Sequence, residues 1–178
     1  MMRISSTARL MTLSLALAAA GLAQAAPTTA EVELKPTVGS TTTGSVRFKQ
    51  QDGQLQIDAD LAGLTPGVHG FHLHEKGDCS APDGTSAGGH FNPAGHQHGA
   101  PDSAAHHGGD FGNITADASG KASLHLSVPT SQISLDAGAP GNIIGRGVIV
   151  HADADDFVTQ PTGNSGKRLA CGVVVAGK

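Results

Sequence analysis

Beyond residue 26 the chain is built of short runs in which apolar and polar side chains alternate, and no stretch repeats with the 3.6-residue period of an amphipathic helix. Alternation sends successive side chains to opposite faces, the signature of strands with one face buried. It predicts eight strands, at 30–38, 44–50, 54–61, 68–75, 111–116, 122–128, 147–151 and 170–175. The turns between them carry the expected residues: Gln51-Asp52-Gly53 separates the second and third strands, and Asp117-Ala118-Ser119-Gly120 precedes the sixth. Glycine makes up 25 of 178 residues, about twice its usual share, which fits a turn-rich chain. The expectation is an all-β fold: an eight-stranded Greek-key flattened barrel or sandwich, in a single domain over 26–178.

Two segments break the pattern. Residues 76–109 are rich in Gly, His, Pro, Ser and Asp, and 152–167 in Asp, Thr, Gly and Asn. Long irregular loops in a compact domain are functional or disordered. The histidine density of the first favours function, because a bound metal supplies ordering free energy that such a composition lacks.

The N-terminus is different again. Arg3 and Arg9 precede an apolar run at 10–22 and a small-x-small site, Ala23-Gln24-Ala25, which together read as a secretory signal peptide over 1–25. The run is too short to span a bilayer, and no cysteine follows it to take a lipid anchor; a buried N-terminal helix is the alternative. Removing this segment takes the formal net charge from -4 to -6, since both arginines leave with it. So acidic a chain, without a basic run, argues against nucleic acid or an anionic membrane as partner. Export also places Cys79 and Cys171 in an oxidising compartment, where an even count favours one disulfide. Closing a loop of roughly 90 residues would contribute about 4 to 5 kcal/mol through chain entropy. Metal binding by the two thiols is the alternative, but they lack Cys-x-x-Cys spacing.

The candidate chemistry lies in the ten histidines. His72 and His74, two apart in a predicted strand, point at one spot. His90, His98, His107 and Asp110 follow in the first long segment and at its edge, and His151 ends the seventh predicted strand.

Five blocks in order, GFHLHE at 70–75, GHFNP at 89–93, GGD at 108–110, GRGVIVHADADD at 145–156 and GNSGKRLACGV at 163–173, resemble copper,zinc superoxide dismutase of the exported bacterial type. The resemblance covers essentially the whole chain after the signal segment. It implies superoxide as substrate, dioxygen and hydrogen peroxide as products, antioxidant defence in the periplasm, and one copper and one zinc per subunit. Copper is then held by His72, His74, His90 and His151, and zinc by His90, His98, His107 and Asp110, so that His90 bridges the two ions and shuttles a proton. Nitrogen ligands suit copper(II), and a set of three nitrogens and one oxygen suits zinc. Family spacing, eight and seventeen residues past the bridging histidine, selects His98 over His96 and His107 over His106. His96 and His106 are then expected to face solvent.

The same resemblance makes Asp155 the carboxylate joining His72 to His98, Arg168 the anion-guiding arginine at the copper channel, and the Cys79–Cys171 disulfide the tie that holds the channel wall. It gives His69 a structural hydrogen bond, while the alternating pattern puts His125 on the surface. Two departures bear on substrate steering. Ala152 stands where many relatives have glutamate, and 157–166 lacks the glutamate and lysine cluster of many eukaryotic members, which leaves Lys76 and Lys167 as the candidate steering charges. Two other classes remain: a copper-buffering protein, which needs the histidines but not Arg168, and a structural β-sandwich with incidental histidines. Whether the protein is a monomer or a homodimer stays open.

Overall fold

The structure, a computed structural model, describes residues 27–177. The proposed signal peptide, 1–25, lies outside the described residues.

Eight strands carry the fold: β1 (Thr29–Pro36), β2 (Thr43–Gln51), β3 (Gln54–Ala62), β4 (Gly67–His74), β5 (Asp110–Ala116), β6 (Ala122–Pro129), β7 (Gly147–His151) and β8 (Arg168–Val173). A two-residue β9 (Val175–Ala176) pairs back onto β1. Among the described residues there is no α-helix, only a 3-10 turn at Thr85–Ala87. All strand pairs are antiparallel, in the order β5-β4-β7-β8-β1-β2-β3-β6. The two end strands, β5 and β6, lie beside each other without a hydrogen-bonded ladder, so the barrel is nearly closed. The crossings from β3 to β4 and from β6 to β7 give the Greek-key connection expected from the pattern.

The binary pattern explains the local choices. In β1, β2 and β3 the buried set alternates strictly: Ala30, Val32 and Leu34; Val46 and Phe48; Leu55, Ile57, Ala59 and Leu61. The β2–β3 hairpin closes through Asp52 (φ 52°) and Gly53 (φ 76°), both in the left-handed region that a two-residue type I′ turn demands. β4 and β7 are buried on both faces. Phe71, Leu73, Val148 and Val150 enter the barrel core, while His72, His74 and His151 lie on the opposite face beneath the two long loops.

The last predicted strand, 170–175, is in fact two. Val174 breaks the ladder because its N–H donates to Arg146 O (2.9 Å) and its carbonyl accepts from Gly145 N–H (2.8 Å). At the other end β8 begins two residues early, at Arg168.

Two one-residue bulges decide what faces the histidines. In β4–β5 the register steps from Gly70↔Asn113 to His72↔Asp110, and in β7–β8 from Val150↔Ala170 to His151↔Arg168. A regular ladder would have put Phe111 and Leu169 there instead. Each bulge inserts one residue and so flips the faces, bringing a carboxylate opposite His72 and a guanidinium opposite His151.

Candidate metal centre

The loop 76–109 reaches β4 through main-chain bonds that place His90. Glu75 N–H donates to Gly89 O (2.9 Å), Phe91 N–H to Leu73 O (2.8 Å) and Leu73 N–H to Gly109 O (2.9 Å). Gly109 has to be glycine here, because a Cβ would collide with Leu73 O.

Two buried groups result, each with its ligand-capable atoms within 4.8 Å of one another: His72, His74, His90 and His151, and His90, His98, His107 and Asp110. His90 belongs to both. All eight candidate positions from the sequence, counting His90 once in each group, are therefore brought together.

Four rings are oriented through the nitrogen that faces away from their group. His74 Nδ1 donates to Gly88 O (2.9 Å), and His151 Nδ1 lies 3.4 Å from Gly166 O. His72 Nε2 donates to Asp155 Oδ2 (2.8 Å) and His98 Nε2 to Asp155 Oδ1 (2.9 Å), so one carboxylate meets a ring of each group. Carboxylates and carbonyls in this position fix tautomer and ring direction. Asp155 is crowded by the loop around it. Gly163 (φ 68°) approaches so closely that a Cβ would strike its Oδ1.

Three of the inward-facing atoms lack partners. His72 Nδ1, His90 Nε2 and His107 Nδ1 are buried without a hydrogen bond; His107 Nδ1 is 3.4 Å from Asp110 Oδ1 but not aligned with it. An unsatisfied buried polar atom costs about 1 to 3 kcal/mol, so three of them spread over the two groups fit a cation-binding role. Asp110 Oδ1 takes His90 Nδ1 (2.8 Å) and His98 Nδ1 (3.0 Å), while its Oδ2 accepts His107 N–H (2.8 Å) and Gly99 N–H (3.1 Å).

Burial and charge set the protonation of the metal-free centre. Burial drives His72 down to about 4, and pushes His74 and His151 well below their ordinary value, so these rings are neutral near pH 7. Asp110 and Asp155 are held well below the carboxylate range by their histidine hydrogen bonds, which outweigh burial. His98 is the exception. Burial opposes its charge, but hydrogen bonds to Asp110 and Asp155 prevail and raise it to about 9. Its charge therefore stabilises the metal-free fold fully below the unfolded value near 6.5, and that contribution is lost as pH rises through about 9. A metal at Nδ1 must displace that proton. Zinc titration of metal-free protein in two buffers of different ionisation enthalpy should show release of the His98 proton near neutral pH, declining as pH rises through about 9. A pH-independent release would contradict this.

Arg168 is half-buried and anchored on two carbonyls, Gly84 O (2.7 Å) and Gly88 O (2.6 Å). Gly88 O also accepts from His74, so one oxygen ties the guanidinium to the imidazole group. Cys79 and Cys171 form a disulfide, with Cα atoms 5.8 Å apart. It joins loop 76–109 to β8, the strand that carries Arg168.

The remaining histidines divide. His69 is buried, with Nδ1 donating to His151 O (2.9 Å), and is structural as expected. His125 is exposed on β6 beside Asp58 (2.6 Å), and His96 is exposed. His106, expected to face solvent, is instead buried, because its Nδ1 finds an acceptor in His107 O (2.7 Å) and the loop folds over it. Lys76 and Lys167 are both exposed.

Two contributors were not foreseen, Asn113 and Gln160. Asn113 grips the main chain of Asp155 at both ends, accepting from its N–H (2.8 Å) and donating to its carbonyl (2.9 Å). Nothing in the sequence of β5, which also carries Asp110 and Thr115, marks Asn113 out. Gln160 grips His98 in the same way, and nothing in its loop composition marks it.

Fold and site together define an antiparallel β-barrel protein with a candidate binuclear metal centre. The comparisons narrow the class. Residues 42–174 match the family model for copper/zinc superoxide dismutase. A protein described as superoxide dismutase [Cu-Zn], from Paramecium bursaria Chlorella virus 1, is 48% identical over 139 residues, covering 74% of this chain and 71% of the relative. Among solved structures, that of the clock protein EA4 superposes with a TM-score of 0.77 at 38% identity, over 88% of this chain and 99% of the other. The chain belongs to the copper/zinc superoxide dismutase family. It is a superoxide dismutase, with copper and zinc as cofactors.

Proposed function

We propose that His72, His74, His90 and His151 would hold copper and that His90, His98, His107 and Asp110 would hold zinc, with His90 common to both. The observation that carries this assignment is that His72 Nδ1, His90 Nε2 and His107 Nδ1 are buried and unpartnered within the two groups, while the opposite nitrogens of His72 and His90 are already bonded. The donor sets agree: four imidazoles suit copper(II), and three imidazoles with one carboxylate suit zinc.

Copper, when bound, supplies one-electron exchange: one superoxide gives up an electron and leaves as dioxygen, and a second takes that electron with two protons and leaves as hydrogen peroxide. The protein's own part is positioning and proton supply. His90 would carry a transferable proton at Nε2 whenever that atom is not engaged by metal, while its Nδ1 stays beside Asp110. Arg168 spends two of its five N–H donors on Gly84 and Gly88, which leaves others for a small anion at a position fixed relative to His74. Because the chain is acidic overall, attraction of the anion falls to local positive charge, namely the metals and Arg168 with Lys76 and Lys167 as contributors.

The Arg3/Arg9 and apolar N-terminal segment, together with the disulfide, supports export of the mature domain to the periplasm. No helix among the described residues is long and apolar enough to cross a membrane.

The ligand register is tested by exchanging His98 and His96 separately for alanine and counting zinc per chain by elemental analysis. Only His98→Ala should lower zinc. Loss of zinc from His96→Ala with retention in His98→Ala would overturn the register.

A further inference from the structure

We infer that Gln160 is a positioning residue for the zinc group, a side-chain amide that fixes the main chain of His98 and makes the second long loop part of the zinc site; the inference rests on the zinc assignment above. His98 lies in loop 76–109 and has no strand neighbour to hold its backbone. Its N–H donates to Gln160 Oε1 (2.9 Å), and Gln160 Nε2 donates to its carbonyl (2.8 Å), across 62 residues of sequence. The amide thus mimics one rung of a β-ladder, satisfying donor and acceptor together.

The ring of the same residue is held as well, through Nδ1 to Asp110 (3.0 Å) and Nε2 to Asp155 (2.9 Å). Four bonds therefore determine where His98 points, and three of them come from 152–167. Asp155 has the matching arrangement, since Asn113 of β5 clamps its main chain while its carboxylate meets His72 and His98. The His98 to Asp155 bond is consequently fixed at both ends by amides. The chain from Asp155 to Gln160 closes a small ring through His98, so the zinc-side imidazole and the loop leading to Arg168 move as one unit. If the Gln160 clamp opens, Asp155 alone must orient the ring from its distal nitrogen, and His98 Nδ1 samples a wider range of directions around the zinc position.

The test uses the copper- and zinc-loaded protein. Gln160→Met preserves length without hydrogen bonds, and Gln160→Glu keeps the acceptor for His98 N–H but sets a carboxylate against His98 O. Both should release zinc to a chelator faster, about tenfold for Gln160→Met, in line with the loss of other partners that orient ligands. Cobalt(II) substituted for zinc should show shifted visible bands in both variants, while the copper(II) visible band stays at its wild-type position. Val158→Ala, an exposed change two residues away, should alter none of these.

Wild-type zinc release and cobalt bands in both variants would overturn the inference. So would a lowered melting temperature of the metal-free variants with zinc release unchanged, which would mark Gln160 as merely structural. Parallel shifts at cobalt and copper would overturn it too, since the clamp reaches His98 and Val158 O but no residue of the copper group. Failure of the underlying assignment looks different: the wild-type protein itself would then hold no zinc.

Discussion

His151→Ala is expected to abolish dismutation, by more than a hundredfold, while the protein keeps its zinc. The floor on that number comes from comparison: removing a residue that only orients a ligand costs about ten- to hundredfold in affinity or activity, and His151 belongs to the proposed ligand set itself. Its imidazole is neutral near pH 7 because burial pushes its pKa down, so the substitution removes a nitrogen donor and no charge. The fold should tolerate the change. The bond that His151 makes with His69 uses its carbonyl, which alanine retains, and β7 keeps its ladder to β4 and β8. The zinc group shares only His90 with the copper group, so its other three donors are untouched. Elemental analysis and a dismutation assay on the same preparation decide the matter. Activity within tenfold of wild type, or zinc lost in step with copper, would contradict the assignment.

The elements of the barrel are plain in sequence because one-sided burial writes a period of two into β1, β2 and β3, and Asp52-Gly53 names its own turn. β4 and β7 keep the alternation in a different form: Phe71, Leu73, Val148 and Val150 face the core, and His72, His74 and His151 lie on the opposite face, also buried. The breaks in register are invisible to periodicity. A bulge adds one residue without changing composition, so nothing before the structure says that Asp110, not Phe111, stands across from His72, or that Arg168 stands across from His151.

The proposed metal ligands were legible through family spacing rather than through local pattern, since His96 and His106 sit within two residues of His98 and His107 and offer the same chemistry. The structure separates the pairs by burial and by partner. His96 is exposed, and His106 is turned away by its bond to His107 O. Asn113 and Gln160 could not be read at all, because each acts on a main chain distant in sequence, 42 and 62 residues away, and side-chain-to-backbone clamps leave no spacing to count.

Asp155→Asn should weaken copper more than zinc, although the carboxylate touches a histidine of each group. The reason is the third donor on Asp155. Its Oδ1 accepts both Phe157 N–H (2.8 Å) and His98 Nε2–H, whereas Oδ2 accepts His72 Nε2–H alone. An asparagine placed here satisfies most partners by keeping its carbonyl oxygen at the Oδ1 position, since a main-chain N–H cannot become an acceptor. Its amide then meets His72 donor to donor. His72 can relieve that conflict only by moving its proton from Nε2 to Nδ1, the buried atom proposed to bind copper. Copper must then bind against the wrong tautomer, at a cost of about ten- to hundredfold in affinity, or about 1.4 to 2.7 kcal/mol. The main chain of residue 155 stays in place because Asn113 holds it, so the effect reports hydrogen bonding rather than loop collapse. Competition against chelators for each metal measures it directly. Asp155→Ala, which removes both acceptors, should weaken both metals. Equal loss of copper and zinc in the asparagine variant, or loss of zinc alone, would contradict this reading of the bridge.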